Sequence, residues 1–531
     1  MRIRVGRSFL AFASLWGLLG CGDASDAELS DSSSYPVRCD KNPNHSQCSN
    51  GVPAAPTTLT AAQTGTSQVT LTWVDNAVNE TNYTIERKLT SASTFVQLAS
   101  LGANVITYQD TTVAAGNSYD YRAKAINGVG SSGYSNTVTI TLPASTARGP
   151  LASITCPVGA VPIPVGSTTA SRQTLINANP NGTTFCLAAG VHTANGSNTP
   201  KTGNTFIGEF GAIIDGTGWT TSDLDEAAFR AVSLDIDNVT IRNLTIRNMP
   251  SYGVNAYFEY ADNWTVDHCE VHDCRTGVSL GIGGTLSSSK IHHCVGDPGN
   301  SNPALRGGGY AINQADNVTF IDNEISYNGP EQKFLMCLAV TCSGNFYHHN
   351  FDGFWIDGEG NGSVIEDNVF EDNGRNSVVI ENGVGVTVRN NLIRRGGFDN
   401  AGNGQGAGIE VTVTRNSEFY GNTVEDCYIG IDLFLDCAVL SPQFPWAQDL
   451  ADNTIHHNIV KTPNVPGVQA AGFALYGTCG APYFDNSKNN NFDHNQYTVH
   501  GGANFFYWNG SKSWSGWQGL PQDPNGTFTV N

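Results

Sequence analysis

From about residue 150 onward, apolar and polar positions alternate in short runs, and the runs recur. NVTIRNLTIRN at 238, NWTVDHCEVHD at 263, NVTFIDNEISYN at 317, GSVIEDNVFEDN at 362, GVTVRNNLIRR at 385 and NSEFYGNTVED at 416 share one plan: a short strand, an Asn-bearing bend, a second short strand. Most neighbouring units lie roughly 22 to 31 residues apart, which suits one turn of a solenoid per repeat. Successive side chains of a strand point to opposite faces, so each run also declares its inner wall. In GFWID, Phe354 and Ile356 point inward while Trp355 and Asp357 point outward. By the same rule SVVIE buries Val378 and Ile380, and GIDL buries Ile431 and Leu433. Stacked coils place like residues over like, so the recurring Asn side chains are expected to bond along a ladder and satisfy the bend backbone. The pattern predicts an all-β chain whose main body, residues 151–531, is a right-handed parallel β-helix.

Before the repeats the alternation is of another kind. VTLTWV at 69, NYTIERK at 82 and SYDYRAKAING at 118, separated by Gly and Asn turns, predict a β-sandwich of about seven strands over residues 52–142. With Trp73 as core tryptophan, Tyr119 and Tyr121 on a late strand and the GVGSSGYSN turn, this segment resembles a fibronectin type III domain. The resemblance implies a spacer rather than a catalytic unit. PASTARGP at 143–150 reads as a linker.

Composition adds an address. Arg2, Arg4 and Arg7 precede an apolar run from Phe9 to Leu19, the layout of a secretory signal too short to span a bilayer. The run ends in Leu18, Leu19, Gly20 and Cys21, which resembles a bacterial lipobox; residues 1–21 are then a lipoprotein signal with Cys21 as lipidation site. Residues 22–51, rich in Ser, Asp and Asn, read as a flexible tether. The expectation is an exported protein held to the cell envelope by lipid alone, at the outer membrane or cell surface. Of 13 cysteines, Cys21 goes to lipid, and in an oxidising compartment the remainder are expected to pair, with Cys39–Cys48, Cys156–Cys186 and Cys337–Cys342 as local bridges. A formal net charge of -20 opposes nucleic acid and anionic membranes as partners. The chain is expected to act as a monomer.

TTFCLAAGVHTANGSNTPKTGNTFIGEFGAIIDG at 183–216, the EQKF and GFWIDGEG stretches and the closing WSGWQGLPQDPNG resemble the cap and coils of bacterial pectate-lyase-like β-helix proteins, over about residues 150–531. The resemblance implies the architecture and a carbohydrate theme, without assigning a mechanism.

Candidate chemistry comes from the outward positions. Aligned coil on coil, Asp357, Glu381, Glu410 and Asp432 fall in one column. Like charges directly opposite across strands are destabilising, so such a column calls for a cation, a raised pKa or a catalytic task. In a hydrolase, one carboxyl of the Asp357–Glu381 pair donates a proton to the glycosidic oxygen and the other acts as nucleophile or base. In a lyase, Ca²⁺ on Asp357, Glu381 and Glu410 neutralises a uronate, and Lys333, or after it Arg306, removes the C5 proton. Both cations are expected in a long irregular connection between coils. A C5 epimerase would use the same site as the lyase. Trp355 and Tyr476 are candidate sugar platforms, with Glu410, Asp432 and Arg306 completing the binding surface. Asp357 and Glu381 are expected to be exposed. The pairs His292–His293, His348–His349 and His456–His457 invite a metal reading, but they stand where other coils carry Asn, Asp or Cys and read mostly as ladder or turn residues, with metal binding as the lesser alternative. The polysaccharide-cleaving reading has one rival, a non-catalytic glycan-binding or adhesion protein.

Overall fold

The computed structural model describes residues 51–531 apart from 66–67, 91, 93, 111–112, 114–117, 142–147, 232–234, 257–260, 298–305, 400–405, 437–448, 477–486, 501–504 and 521. Side chains at 64, 65, 68, 436 and 473–476 are likewise outside the description. The signal segment, Cys21, the tether and the Cys39–Cys48 loop therefore lie outside the described residues.

Each coil of the main body is built from very short strands because its bends consume the rest. In one coil Val364–Glu366 is followed by Asp367 at φ 56°, buried Asn368, the strand Val369–Glu371, Asp372 at φ 52° and buried Asn373. Left-handed backbone is costly for most side chains and tolerated best, after glycine, by Asn, Asp and His, which is why those residues fill the bends. A longer third strand, such as Phe354–Glu359 or Val378–Gly383, closes the coil. Among the described residues, stacking the coils gives two sheets of 13 strands and one of 12. Pairing within them is parallel until the last hairpin, Phe506–Trp508 against Ser511–Lys512.

The inward positions form a single apolar core in which Phe354, Ile356, Val378, Ile380, Ile431 and Leu433 are all buried, as the alternation predicts. Asn side chains line one bend as a continuous ladder. Asn345 Nδ2 donates to Asn368 Oδ1 at 3.0 Å, Asn368 to Asn391 at 3.0 Å, Asn391 to Asn422 at 3.0 Å and Asn422 to Asn458 at 3.0 Å. Each also donates to a core-strand carbonyl, as Asn368 does to Cys342 at 2.9 Å. The ladder supplies the partners that buried bend backbone demands.

A solenoid must cover its two open ends. At the start, helix Thr169–Ala178 begins in a capping box between Thr168 and Ser171. It lays Ile176 and Arg172 over the first coil, with Arg172 Nε donating to Asn198 at 2.8 Å and Nη1 to the carbonyls of Ser167 and Thr193. At the far end, Trp517 of the helix Trp514–Gln518 packs on Phe492 and Phe506 at 5.1 and 5.0 Å between ring centroids.

The described residues of Thr57–Thr141 hold seven antiparallel strands in sheets of three and four, around buried Trp73, Tyr83 and Tyr121. Among the described residues no helix is long and apolar enough to cross a membrane. Cys156 and Cys186 are bonded. The expected Cys337–Cys342 bridge is not formed: both are free, buried thiols, as are Cys269, Cys274, Cys294 and Cys427, so the wider expectation of pairing fails for these six. Cys337 ends a third-sheet strand and Cys342 centres a first-sheet strand, so the bend between them sends the two sulfurs to different walls.

Candidate active site

The four acids sit on the outer face of the third sheet, but in two columns rather than one. Asp357 lies opposite Glu381, and Glu381 lies opposite Thr412. Glu410 lies opposite Val379 on one side and Asp432 on the other. The offset is two residues, which preserves the face because the side-chain period is two, and it separates the acids into two pairs. Nor are they a solvated stripe. Asp357 is 9 %, Glu410 5 % and Asp432 2 % exposed, and Glu381 is half-buried, so the expected exposure of Asp357 and Glu381 is corrected.

Lys333 is corrected in place as well. It opens the strand Lys333–Cys337, one coil before Asp357, instead of riding an irregular connection. Strand geometry aims its ammonium along the outer wall, where Nζ meets Asp357 Oδ2 at 2.9 Å and lies 4.6 Å from the centre of the Trp355 ring. Asn382 donates to the other Asp357 oxygen at 3.1 Å. Trp355 Nε1 donates to Glu381 Oε2 at 3.1 Å.

A second cation, Arg375, was missed in the sequence. It stands in the bend before Val378–Gly383, 5.2 Å from the centre of the Trp355 ring, and forks onto the fully buried Asp352 with Nε at 2.9 Å. Two cations thus stand over the Trp355 ring, and its N–H is engaged by Glu381. The only signal in sequence was a lone Arg following a bend, with its partner 23 residues earlier on the neighbouring coil.

Burial and charge set the proton affinities. Burial, with repulsion from Asp357, pushes Glu381 up to about 7 against the pull of Lys333, the Trp355 N–H and Arg375. Burial pushes Glu410 up to about 8, opposed by Arg375 and assisted by Asp352 and Glu381. Glu410 Oε2 is buried without a hydrogen-bond partner, as suits a protonated carboxyl with one oxygen unengaged. Burial and then Glu410 push Asp432 well above the carboxylate range. Carboxyls held this way retain protons near neutrality and can give them up to a substrate.

Beside Lys333 the same face opens into a cleft of about 330 Å³, lined by Tyr252, Thr276, Asn313, Glu331 and Leu335 among others. Arg306 stands next to the lining residue Gly307 and is bound to Glu331 at 3.0 Å. The Tyr476 backbone pairs with that of Asp436, and its side chain lies outside the described residues. The donor set does not fit a Ca²⁺ cage on Asp357, Glu381 and Glu410: the register parts Glu410 from Glu381, and Lys333 already occupies Asp357. Among the described residues, the group of three ligand-type side chains with donors within 4.8 Å is Cys156, Cys186 and Glu209, and its two cysteines are disulfide-bonded.

A family model described as a right handed beta helix region matches residues 230–404 and again 340–515. No curated protein matches the chain. Among solved structures, one of titin domains is 24 % identical over 17 % of this chain and 32 % of that chain, at a TM-score of 0.16, so the match spans about a third of its length. A structure of an Fn3-like protein from Clostridium thermocellum is 26 % identical over 18 % of this chain and 96 % of that chain, also at a TM-score of 0.16.

Proposed function

Because the chain belongs to the right-handed β-helix family, whose long outer walls suit extended polymers, we propose that it cleaves a polysaccharide on the outer face of its third sheet. One observation carries the reading: a carboxyl raised to about 7, Glu381, lies one strand from the ion-paired Asp357, next to an open cleft. Glu381 is the proton donor to the glycosidic oxygen. Asp357, oriented by Lys333 and Asn382, is the nucleophile. Adjacent strands lie about 4.8 Å apart, close to the roughly 5 Å carboxyl separation of retaining glycosidases, so retention of configuration is expected. Trp355 positions Glu381, and the cleft beyond Lys333 receives the neighbouring sugars.

A second reading, lyase cleavage of a uronate, has one observation in its favour: Lys333 and Arg375 bring two positive groups to Trp355 beside the acids, the charge a uronate carboxylate requires. Because the acids do not converge on a cation, this form relies on Lys333 and Arg375 instead of Ca²⁺.

The test is a panel of neutral and acidic polysaccharides incubated with the full chain. New reducing ends without ultraviolet absorbance support the hydrolase; unsaturated, absorbing products support the lyase; silence across the panel leaves a glycan-binding or adhesion protein. Glu381→Gln and Asp357→Asn should each abolish turnover while the melting curve stays cooperative. We read the seven-stranded unit at Thr57–Thr141 as a fibronectin type III spacer, on its strand pattern. We read Cys21 as the lipid anchor that presents the β-helix outside the cell, on the lipobox alone.

A further inference from the structure

Neighbouring side chains of a strand point to opposite faces, so vicinal imidazoles ordinarily do not meet. In this chain they meet three times. His292, His348 and His456 each end a strand, and His293, His349 and His457 follow at φ 55°, 54° and 54°. That left-handed step turns the second ring to the side of the first. The Nδ1 atoms then lie 2.9 Å apart in His292–His293, 3.0 Å in His348–His349 and 2.8 Å in His456–His457.

A second feature recurs with the first. One coil away, a glutamate faces Nε2 of the leading ring: Glu270 at 3.3 Å from His292, Glu324 at 3.6 Å from His348 and Glu418 at 2.9 Å from His456. At His292 and His456 the carboxylate is within hydrogen-bond reach, which keeps the proton on Nε2 and leaves the Nδ1 lone pair aimed at the neighbouring ring, the arrangement that orients metal-binding imidazoles; at His348 the carboxylate gives charge only, since Nε2 is buried without a hydrogen-bond partner. Stacking fixes the planes of the second rings. His293 and His349 stack on opposite sides of Tyr327 in the coil order, at 5.0 and 4.8 Å, and His457 stacks on His494 at 4.8 Å.

The donor spacing, here that of an N–H···N hydrogen bond, also admits an ion once the shared proton has moved away. Metal–imidazole bonds of about 2.0–2.1 Å make an angle of roughly 90° when the nitrogens are 2.9 Å apart, whereas a tetrahedral ion would hold them about 3.3 Å apart. Cis nitrogens at a right angle suit a tetragonal ion, and imidazole donors suit copper. We propose that the three His–His pairs are Cu²⁺-binding sites, each supplying two Nδ1 ligands, with water in the remaining positions. On binding, the trailing ring moves its proton from Nδ1 to Nε2, so two neutral rings coordinate without net proton release. The sites lie at bends of the first and second sheets, apart from the acidic face of the third, and the inference stands whether or not the chain cleaves polysaccharide.

The experiment is titration of the full chain with copper(II) chloride, followed by calorimetry and electron paramagnetic resonance. We expect three equivalents whose spectrum shows two coordinated nitrogens. His293→Asn, His349→Asn and His457→Asn should each remove one equivalent, with melting curves unchanged because Asn accepts left-handed backbone. Glu418→Ala should weaken its site about 10- to 100-fold. A triple His→Asn variant that still takes up three equivalents with the same spectrum, or a wild-type spectrum with a single nitrogen, overturns the proposal.

Discussion

Glu410 shows how little of a residue's chemistry is carried by its identity. On an exposed strand it would be an ordinary anion; here it is 5 % exposed, and its affinity for a proton is raised to about 8. The unfolded chain releases that proton near 4.5, so between about 4.5 and 8 the folded state binds more protons than the unfolded one. Stability must then fall as pH rises through that window, by up to about 1.4 kcal/mol per pH unit from this group. Glu410→Gln removes the dependence: the variant should melt above the wild type at pH 8 and alongside it at pH 4, as read by calorimetry at both values. Glu381, raised to about 7, gives the kinetic counterpart. An acid that must be protonated to act loses its active form above that point, so the cleavage rate should decline as pH passes about 7, and a rate that keeps climbing to pH 9 would remove Glu381 from the donor role. Neither value was legible in the sequence. What was legible is that Trp355, Asp357 and Glu381 point outward, because a period of two leaves no other choice once Phe354, Ile356, Val378 and Ile380 are assigned to the core.

Among elements, the Asn ladder does work that the three-residue strands cannot do alone. Asn368 accepts from the backbone and side chain of Asn345 at 2.9 and 3.0 Å and donates to Asn391 and to the Cys342 carbonyl. Asn368→Ala strands several buried polar groups at about 1–3 kcal/mol each when unrelieved, so a loss of about 2–4 kcal/mol is expected in urea unfolding. An unchanged midpoint would mean that water replaces the side chain. The ladder was visible as recurrent Asn, since stacked coils repeat their environment. The pairing of acids was not visible. Matching acid to acid put four in one column, whereas the backbone matches Val378 with Ile409 and so sets Glu410 beside Val379. Both alignments keep Val378, Ile380, Ile409, Val411, Ile431 and Leu433 inside, so the hydrophobic pattern cannot tell them apart. The Cys337–Cys342 bridge failed for a related reason: five residues suffice to turn a corner of the solenoid.

The molecule as a whole is a stack in which each coil is covered by the next, and its integrity depends on the ends. Trp517 is fully buried over the last coil against Phe492, Phe506 and Trp508. Trp517→Ala should cost about 3–5 kcal/mol and, by uncapping parallel strand edges, promote association visible in light scattering; a variant that scatters no more than the wild type, with an unaltered melting point, would show the last coil to be self-sufficient. At this scale the alternation of residues and the spaced Asn bends determined, unaided, that the chain winds into a parallel β-helix and which side chains face its core. Only the tertiary structure decided which outward groups become neighbours, how deeply the acids are covered, and that Arg375 and Lys333 converge on Trp355. The physical reason is that a period fixes direction within a strand, while which outward residues become neighbours depends on the register in which the coils stack, and burial among those neighbours sets the charge each acid carries.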